Sequence, residues 1–323
     1  MADTTQCSCT CGCKQETATN YVFMDGEFVA YENAKISVRT HAFLYGTSVF
    51  EGIRAYWNEE EKQMYAFRMK EHYERLRNSA KIMIMDTKYS IQEMCDITID
   101  LLKKNAHKSD AYIRPTLYKS AEVVGPKLIN NPDSFLIFTT PLGQYIDISK
   151  GLSVCVSSWR RNDDNAIPPR AKVSGSYANT ALIATDAVRA GFDDAIVLDQ
   201  IGQVTEGSAM NLYLVENGKL VTTKQTDNIL IGVTRNTVKE LAEKEFGIEV
   251  IEREIDRTEL YIADEAFYCG TGAQISPITS IDHRNLGDGN IGPITAKLQK
   301  LYFDVVKGKV AKYKHWCTPV YDN

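Results

Sequence analysis

The 323-residue chain has no run approaching the ~18–20 consecutive apolar residues that a membrane span requires, so no transmembrane helix is expected. Residues Met1–Asn20 hold no apolar core of the kind a secretory signal needs, which points to a cytoplasmic location. Basic residues do not dominate: 37 Lys and Arg stand against 42 Asp and Glu, a net charge of −5. Recognition of a phosphate backbone needs a clustered basic surface, so no nucleic-acid partner is expected. The mild acidic excess bears on solubility more than on partners.

Histidine is scarce. His41, His72, His107, His283 and His315 show no metal-type spacing such as H-x₃-H. Neither a G-x-S-x-G elbow nor a Walker phosphate loop is present. These absences count against zinc hydrolases, serine hydrolases and P-loop NTPases. Of the eight cysteines, Cys95, Cys155, Cys269 and Cys317 are scattered, while Cys7, Cys9, Cys11 and Cys13 crowd together. A chain this long needs no disulfides to hold a core, and a cytosol keeps thiols reduced. The C-x-C-x-C-x-C run lacks the C-x₂-C pairs of a zinc site. Soft-metal binding through thiolates and a thiol-rich tail without catalytic role both remain open for it, and no metal site is assigned.

What is there is a mixture of hairpins and helices. Apolar runs Tyr21–Met24 and Glu27–Tyr31 flank Asp25-Gly26, and Leu212–Val215 and Lys219–Thr222 flank Asn217-Gly218. Glycine accepts the positive φ of a tight turn, so both read as hairpins. Asp194–Leu198 and Gln203–Thr205 read as strands. Apolar residues recur at helical spacing over 91–102, 238–246 and 294–305, and the Ala-rich stretch 178–190 reads as a further helix. The pattern predicts an α+β architecture. Strand-like Phe135–Thr139 and Leu152–Ser157 are separated by the Pro- and Gly-containing stretch 141–151. The expected organisation is a tail over 1–20, a small domain over 21–140, a linker over 141–151 and a larger domain over 152–323. Pockets often form at such junctions.

Several short segments could carry chemistry. Lys172 lies among small residues in Pro168–Tyr177, next to a possible strand-to-helix turn. A lysine is a nucleophile only when some of it is neutral, which burial and nearby positive charge promote. Taken alone, it reads as a solvated surface lysine, and Glu206 in Thr205–Asn211 reads as a turn residue. Gly232, Val233 and Thr234 lead into a helix whose exposed N–H groups suit an anion; locally an ordinary N-cap explains them as well. Gly270-Thr271-Gly272-Ala273 could present backbone N–H groups to a carboxylate, or simply turn between strands.

In this order, the segments resemble the branched-chain aminotransferases of the fold-type IV pyridoxal-phosphate (PLP) enzymes. The resemblance runs from about Tyr21 to the last helix. His41–Tyr56 (HAFLYGTSVFEGIRAY) carries most of it, with Ala111–Pro115, Thr205–Asn211 and Tyr261–Phe267. It implies two α/β domains, the larger with a β-barrel-like core, and PLP between them. It implies that Lys172 bonds covalently to the PLP aldehyde and moves the substrate's α-proton. Glu206 should keep the pyridine nitrogen protonated, and Tyr177 should meet the ring hydroxyl oxygen. Arg68, Val233 and Thr234 at the Gly232 helix start, and Thr271 should hold the phosphate.

For the substrate, the resemblance implies an apolar wall of Phe50, Tyr45 and Tyr145. Arg114 should meet a distal carboxylate, and Tyr112 with the Thr271-Gly272 backbone the α-carboxylate. Tyr45 should arrive from a second subunit, so a homodimer or higher oligomer is expected. The implied reaction is transfer of amino groups from leucine, isoleucine or valine to 2-oxoglutarate. A D-amino acid or R-amine transaminase, or a PLP lyase, would share Lys172 and Glu206; His41–Tyr56 and Tyr112-Ile113-Arg114 favour the L-branched-chain reading. A rival from another class is a metal-binding or redox protein acting through Cys7–Cys13. Gly272 stands where many relatives have Ala, which predicts a looser loop.

Overall fold

The computed structural model describes residues 20–143 and 150–322. The Cys7–Cys13 run and residues 144–149 of the expected linker, Tyr145 included, lie outside the described residues. The first strands are β1 (Tyr21–Met24) and β2 (Glu27–Ala30), and they form the expected hairpin. Asp25 and Gly26 take φ of 51° and 119°, the positive values that a two-residue hairpin turn demands. A short helix, α1 (His41–Tyr45), leads to β3 (Ser48–Phe50), β4 (Ile53–Asn58) and β5 (Gln63–Phe67). Helices α2 (Met69–Ile82) and α3 (Ile91–Asn105) precede β6 (Ala111–Lys119) and β7 (Asp133–Pro141). These strands make one antiparallel sheet. Its buried face packs Ile53, Ile113 and Ile137 against Leu76 of α2 and Leu101 of α3.

α3 is the helix expected over 91–102, started by a Ser90–Glu93 capping box. α2 is not among the helices that periodicity singles out. Its inward face includes His72 and Ser79 beside Tyr73 and Leu76, so polar residues dilute the apolar stripe that would announce it.

The second sheet begins with β8 (Leu152–Arg160), α4 (Tyr177–Arg189), β9 (Asp194–Leu198), β10 (Val204–Gly207), β11 (Asn211–Glu216) and β12 (Lys219–Thr222). It continues through α5 (Val233–Phe246), β13 (Val250–Glu252), β14 (Glu265–Gly270), β15 (Gln274–Ile281), β16 (Arg284–Asn285) and α6 (Pro293–Val306). The strand order is β10-β9-β8-β15-β14-β11-β12-β13. β8–β9 and β12–β13 are parallel pairs, which need a crossover; α4 and α5 supply it. The two end strands approach each other: Gln203 bridges Asp256, and Val204 N–H donates to Ile255 O at 2.9 Å. The sheet therefore curls into the barrel-like core expected of it, filled by residues such as Val154, Ile196, Leu212 and Ile278.

The last strand, β17 (Cys317–Pro319), returns to pair with β5 in the first sheet. Tyr56 and Phe67 of that sheet pack with Leu298, Tyr302 and Val305 of α6, giving the two sheets a shared apolar seam. No described helix is long and apolar enough to cross a membrane.

Polar contacts at one edge of this seam fix the segment around Lys172. Lys172 N–H donates to Ser79 Oγ at 3.1 Å, and Lys172 O accepts from Phe50 N–H at 3.0 Å. Val49 bridges Val173, and Gly175 N–H donates to Gly46 O at 3.1 Å. Gly46 sits at φ 68°, and a Cβ there would lie 2.7 Å from Gly175 Cα. Both the dihedral and the approach require glycine. Gly46→Ala should therefore lower stability by ~1–3 kcal/mol, read as a lower denaturant midpoint. An unchanged midpoint would show that the Gly46–Gly175 contact is not a constraint.

Candidate active site

A cavity of about 200 Å³ opens beside this edge, with walls from both sheets. Its residues come from β3, β6, the Lys172 segment, the β10–β11 turn, the start of α5 and the β14–β15 turn. Lys172 extends its amine into it, where Nζ donates to the Tyr177 hydroxyl at 2.6 Å. The Phe50 ring lies 5.0 Å from that nitrogen and 5.0 Å from the Tyr177 ring. Lys172 is thus held by its backbone to the first sheet unit and directed by Tyr177, the first residue of α4.

Glu206 lies in β10 where the register with β9 shifts, and it is buried. One carboxylate oxygen accepts from Asn211 Nδ2 at 2.8 Å; the other accepts from Leu230 N–H at 3.3 Å and pairs with Arg161. Burial raises its proton affinity, and Arg161, the Leu230 N–H, Lys172 and Arg75 only partly oppose this. A buried carboxylate in that condition would be relieved by one more positive N–H partner.

Gly232 is the N-cap of α5, with no side-chain cap. The first-turn N–H groups of Val233 and Thr234 are therefore free for an anion, where the helix dipole favours one. A Cβ on Gly232 would come 2.1 Å from Asn211 Oδ1, so only glycine lets this cup approach the Glu206 support. Thr271 and Gly272 line the cavity from the β14–β15 turn. Nothing lies within 4 Å of a Cβ added to Gly272, so alanine would fit there.

On the opposite wall, Arg114 Nε donates to the Tyr112 hydroxyl at 2.9 Å, and the guanidinium lies 4.1 Å from the Phe50 ring centre. Burial keeps the Tyr112 phenol above its ordinary range despite Arg114, so the hydroxyl retains its proton to donate. Its ring packs against Gly52, where a Cβ would meet the phenol oxygen at 2.6 Å. Cys269 also lines the cavity. Burial pushes its thiol up to about 12, which leaves it inert as a nucleophile. Among the described residues, no group of three or more His, Cys, Asp or Glu is arranged to hold a metal ion.

Lys172, Tyr177, Glu206, Gly232, Val233, Thr234, Thr271, Phe50, Tyr112, Arg114 and Gly272 all come together here. Arg68 does not. It sits left-handed at the start of α2, stacks 4.5 Å from Trp316, and donates to Glu71 at 2.7 Å and Thr237 at 2.9 Å. Arg75, two turns further along α2, reaches the cavity instead and donates to Ile231 O at 2.8 Å, beside the α5 cup. A helical reading of 72–79 could have found it, since His72, Leu76 and Ser79 mark the inward face. Arg161 and Asn211 carry no such local signal. Tyr45 does not line the cavity of its own chain; its hydroxyl accepts from Gly125 N–H at 2.9 Å and its ring is exposed.

Comparison with known proteins identifies the family. Residues 48–281 match the family described as amino-transferase class IV. A probable branched-chain-amino-acid aminotransferase of Aquifex aeolicus is 49% identical over 303 residues, covering 94% of this chain and 97% of that protein. The branched-chain aminotransferase of Thermoproteus uzoniensis, solved with norvaline, superposes with a TM-score of 0.90 at 41% identity, covering 94% of this chain and all of that one. That of Thermobaculum terrenum, solved in its PLP form, gives 0.90 at 37% identity, covering 94% and 99%. The chain belongs to the class IV aminotransferases, and within them to the branched-chain-amino-acid aminotransferases.

Proposed function

We propose that this chain exchanges amino groups between branched-chain L-amino acids and 2-oxoglutarate, using pyridoxal phosphate bonded to Lys172. The observation that carries the reading is the Lys172 amine sharing one cavity with the buried Glu206 carboxylate and an uncapped helix start. The residues fit the cofactor. Glu206, whose raised proton affinity Arg161 only partly offsets, would gain from a protonated ring nitrogen, and Tyr177 would meet the ring hydroxyl oxygen. Val233, Thr234, Arg75 and Thr271 line the same cavity and would hold the phosphate. Arg75 takes the role that the resemblance gave to Arg68.

When bound, pyridoxal phosphate supplies an aldehyde that takes up the amino group and a ring that withdraws electrons from the substrate's α-carbon. Lys172 Nζ, placed by Tyr177, would take the substrate's α-proton as a general base and hold it for return. Glu206, steadied by Asn211, would keep the ring nitrogen protonated. Phe50 offers an apolar surface to an aliphatic side chain, and Arg114 beside it can pair with the distal carboxylate of glutamate. Tyr112 and the Thr271-Gly272 backbone hold the α-carboxylate. Since both substrates use one cavity in turn, ping-pong kinetics follow.

The working unit in this reading is a homodimer. Val38, Phe43, Leu44, Val123, Val124 and Ile129 are exposed around the Tyr45–Gly125 contact, an apolar display of the kind that marks an interface. From there Tyr45 would reach a partner's cavity. The units over 21–140 and 152–323 act as the two domains, and a cytoplasmic location belongs to the same reading.

Steady-state assays with L-leucine and 2-oxoglutarate should give glutamate and parallel double-reciprocal lines; turnover of D-alanine but not L-leucine would overturn the substrate assignment. Lys172→Ala should abolish the absorbance of bound cofactor and cut turnover by at least ~10²–10⁴-fold; persistence of both would move the anchor elsewhere. Arg75→Ala should weaken cofactor binding ~10–100-fold, the worth of a charged hydrogen bond. Arg68→Ala should lower stability and leave that affinity within about threefold, and the reverse pattern would restore Arg68 as the phosphate ligand. Arg114→Met should raise KM for 2-oxoglutarate ~10-fold or more with little change for leucine, and equal effects on both would remove Arg114 from substrate selection.

A further inference from the structure

Between Phe50 and Gly52, both cavity residues, stands Glu51, with its side chain fully buried. Isolating a carboxylate there would be costly, so its partners matter. All of them come from α2. Arg75 Nε donates to one oxygen at 2.7 Å and Arg75 Nη2 to the other at 2.8 Å, a two-point fork. His72 Nδ1 lies 2.8 Å from the second oxygen; an ionised carboxylate has no proton to give, so that nitrogen carries the hydrogen. Burial alone would push the Glu51 carboxyl up, but Arg75 and His72 outweigh it and hold it well below the usual carboxylate range.

The fork leaves Arg75 little freedom. With Nη1 also donating to Ile231 O, three N–H groups of the guanidinium are taken. The hydrogens left on the Nη edge are those available to the cavity that Arg75 lines. Ile231 immediately precedes Gly232, the N-cap of α5, so this edge is placed beside the free N–H groups of Val233 and Thr234.

We propose that Glu51 is a positioning residue for the cofactor's phosphate: its buried carboxylate, braced by His72, aims the unused edge of Arg75 at the anion cup that opens α5. The inference rests on the reading of Arg75 as a phosphate ligand. Glu51 gives up part of the arginine's net attraction in return for a fixed direction, a trade that favours a phosphate of one geometry. It also ties the phosphate end of the site to the strand that carries Phe50, on the substrate wall.

The test compares pyridoxal 5′-phosphate with phosphate-free pyridoxal, titrated into the full chain freed of cofactor. Glu51→Gln keeps the size of the side chain and sets an NH₂ group against the guanidinium. Its dissociation constant for pyridoxal 5′-phosphate should rise ~10-fold or more, with that for pyridoxal changed less than about twofold. In an Arg75→Ala background the same substitution should add nothing to the ratio of the two constants, because Glu51 acts through Arg75. Equal weakening of both ligands, an unchanged ratio, or an undiminished effect without Arg75 would each overturn the proposal. Should Glu51→Gln not fold, the ratio is read on Glu51→Asp, which keeps the charge but draws the fork back by one methylene and should shift it in the same direction. If Arg75→Ala itself leaves the ratio unchanged, the phosphate assignment falls along with this inference. An altered ratio for Arg75→Ala beside an unaltered one for Glu51→Gln removes only Glu51.

Discussion

The backbone N–H and C=O of Lys172 are clasped by the first sheet unit, and the geometry of the site follows from that clasp. Its N–H is held by Ser79 of α2 and its C=O by Phe50 of β3. Each hydrogen bond contributes about 0.5–1.5 kcal/mol net, a small part of the stability of such a chain. The consequence is directional. The backbone of the lysine is registered to one unit while its side chain faces Glu206 on the other. A loop that followed only its own unit would let that separation drift, and a proton-transfer group displaced by even ~1 Å loses much of its effect.

Charge is arranged around this clasp by pairing. Two buried carboxylates, Glu51 and Glu206, stand near a set of cations that includes Arg75, Arg161 and Lys172. Glu51 is fully matched by Arg75 and His72, so its charge is stable and its task is to orient. Glu206 is under-matched, with burial still raising its proton affinity, so it is the carboxylate that gains from a bound cation. The uncapped start of α5 supplies the complementary deficit, N–H groups with no side-chain acceptor. One under-matched carboxylate and one set of helix-start donors without a side-chain acceptor line the same cavity, an arrangement suited to a ligand with a basic ring at one end and an anion at the other.

Much of this was legible in the chain because local rules govern it. The Asp25-Gly26 and Asn217-Gly218 turns adopt the positive φ that those residue pairs announce, and α3, α5 and α6 bury the apolar residues whose spacing marks them. The role proposed for the Lys172 segment was legible only through resemblance. Lys172 acquires meaning from Phe50 and Ser79, more than ninety residues away, and periodicity does not report such distances. The return of β17 to β5 is hidden for the same reason. Arg68 and Arg75 illustrate the limit most sharply. Both flank or lie on one helix and both are cations; a left-handed turn at Arg68 sends it towards Trp316, while the inward stripe of α2 carries Arg75 to the site.

In the proposed function the Lys172 amine is the covalent seat of the cofactor. Reduction of the purified holoenzyme with borohydride, followed by proteolysis and peptide mass spectrometry, reads this directly. A single pyridoxyl adduct is expected on the peptide that contains Lys172. An adduct on a different lysine, or none on a protein that still turns over leucine, would contradict it.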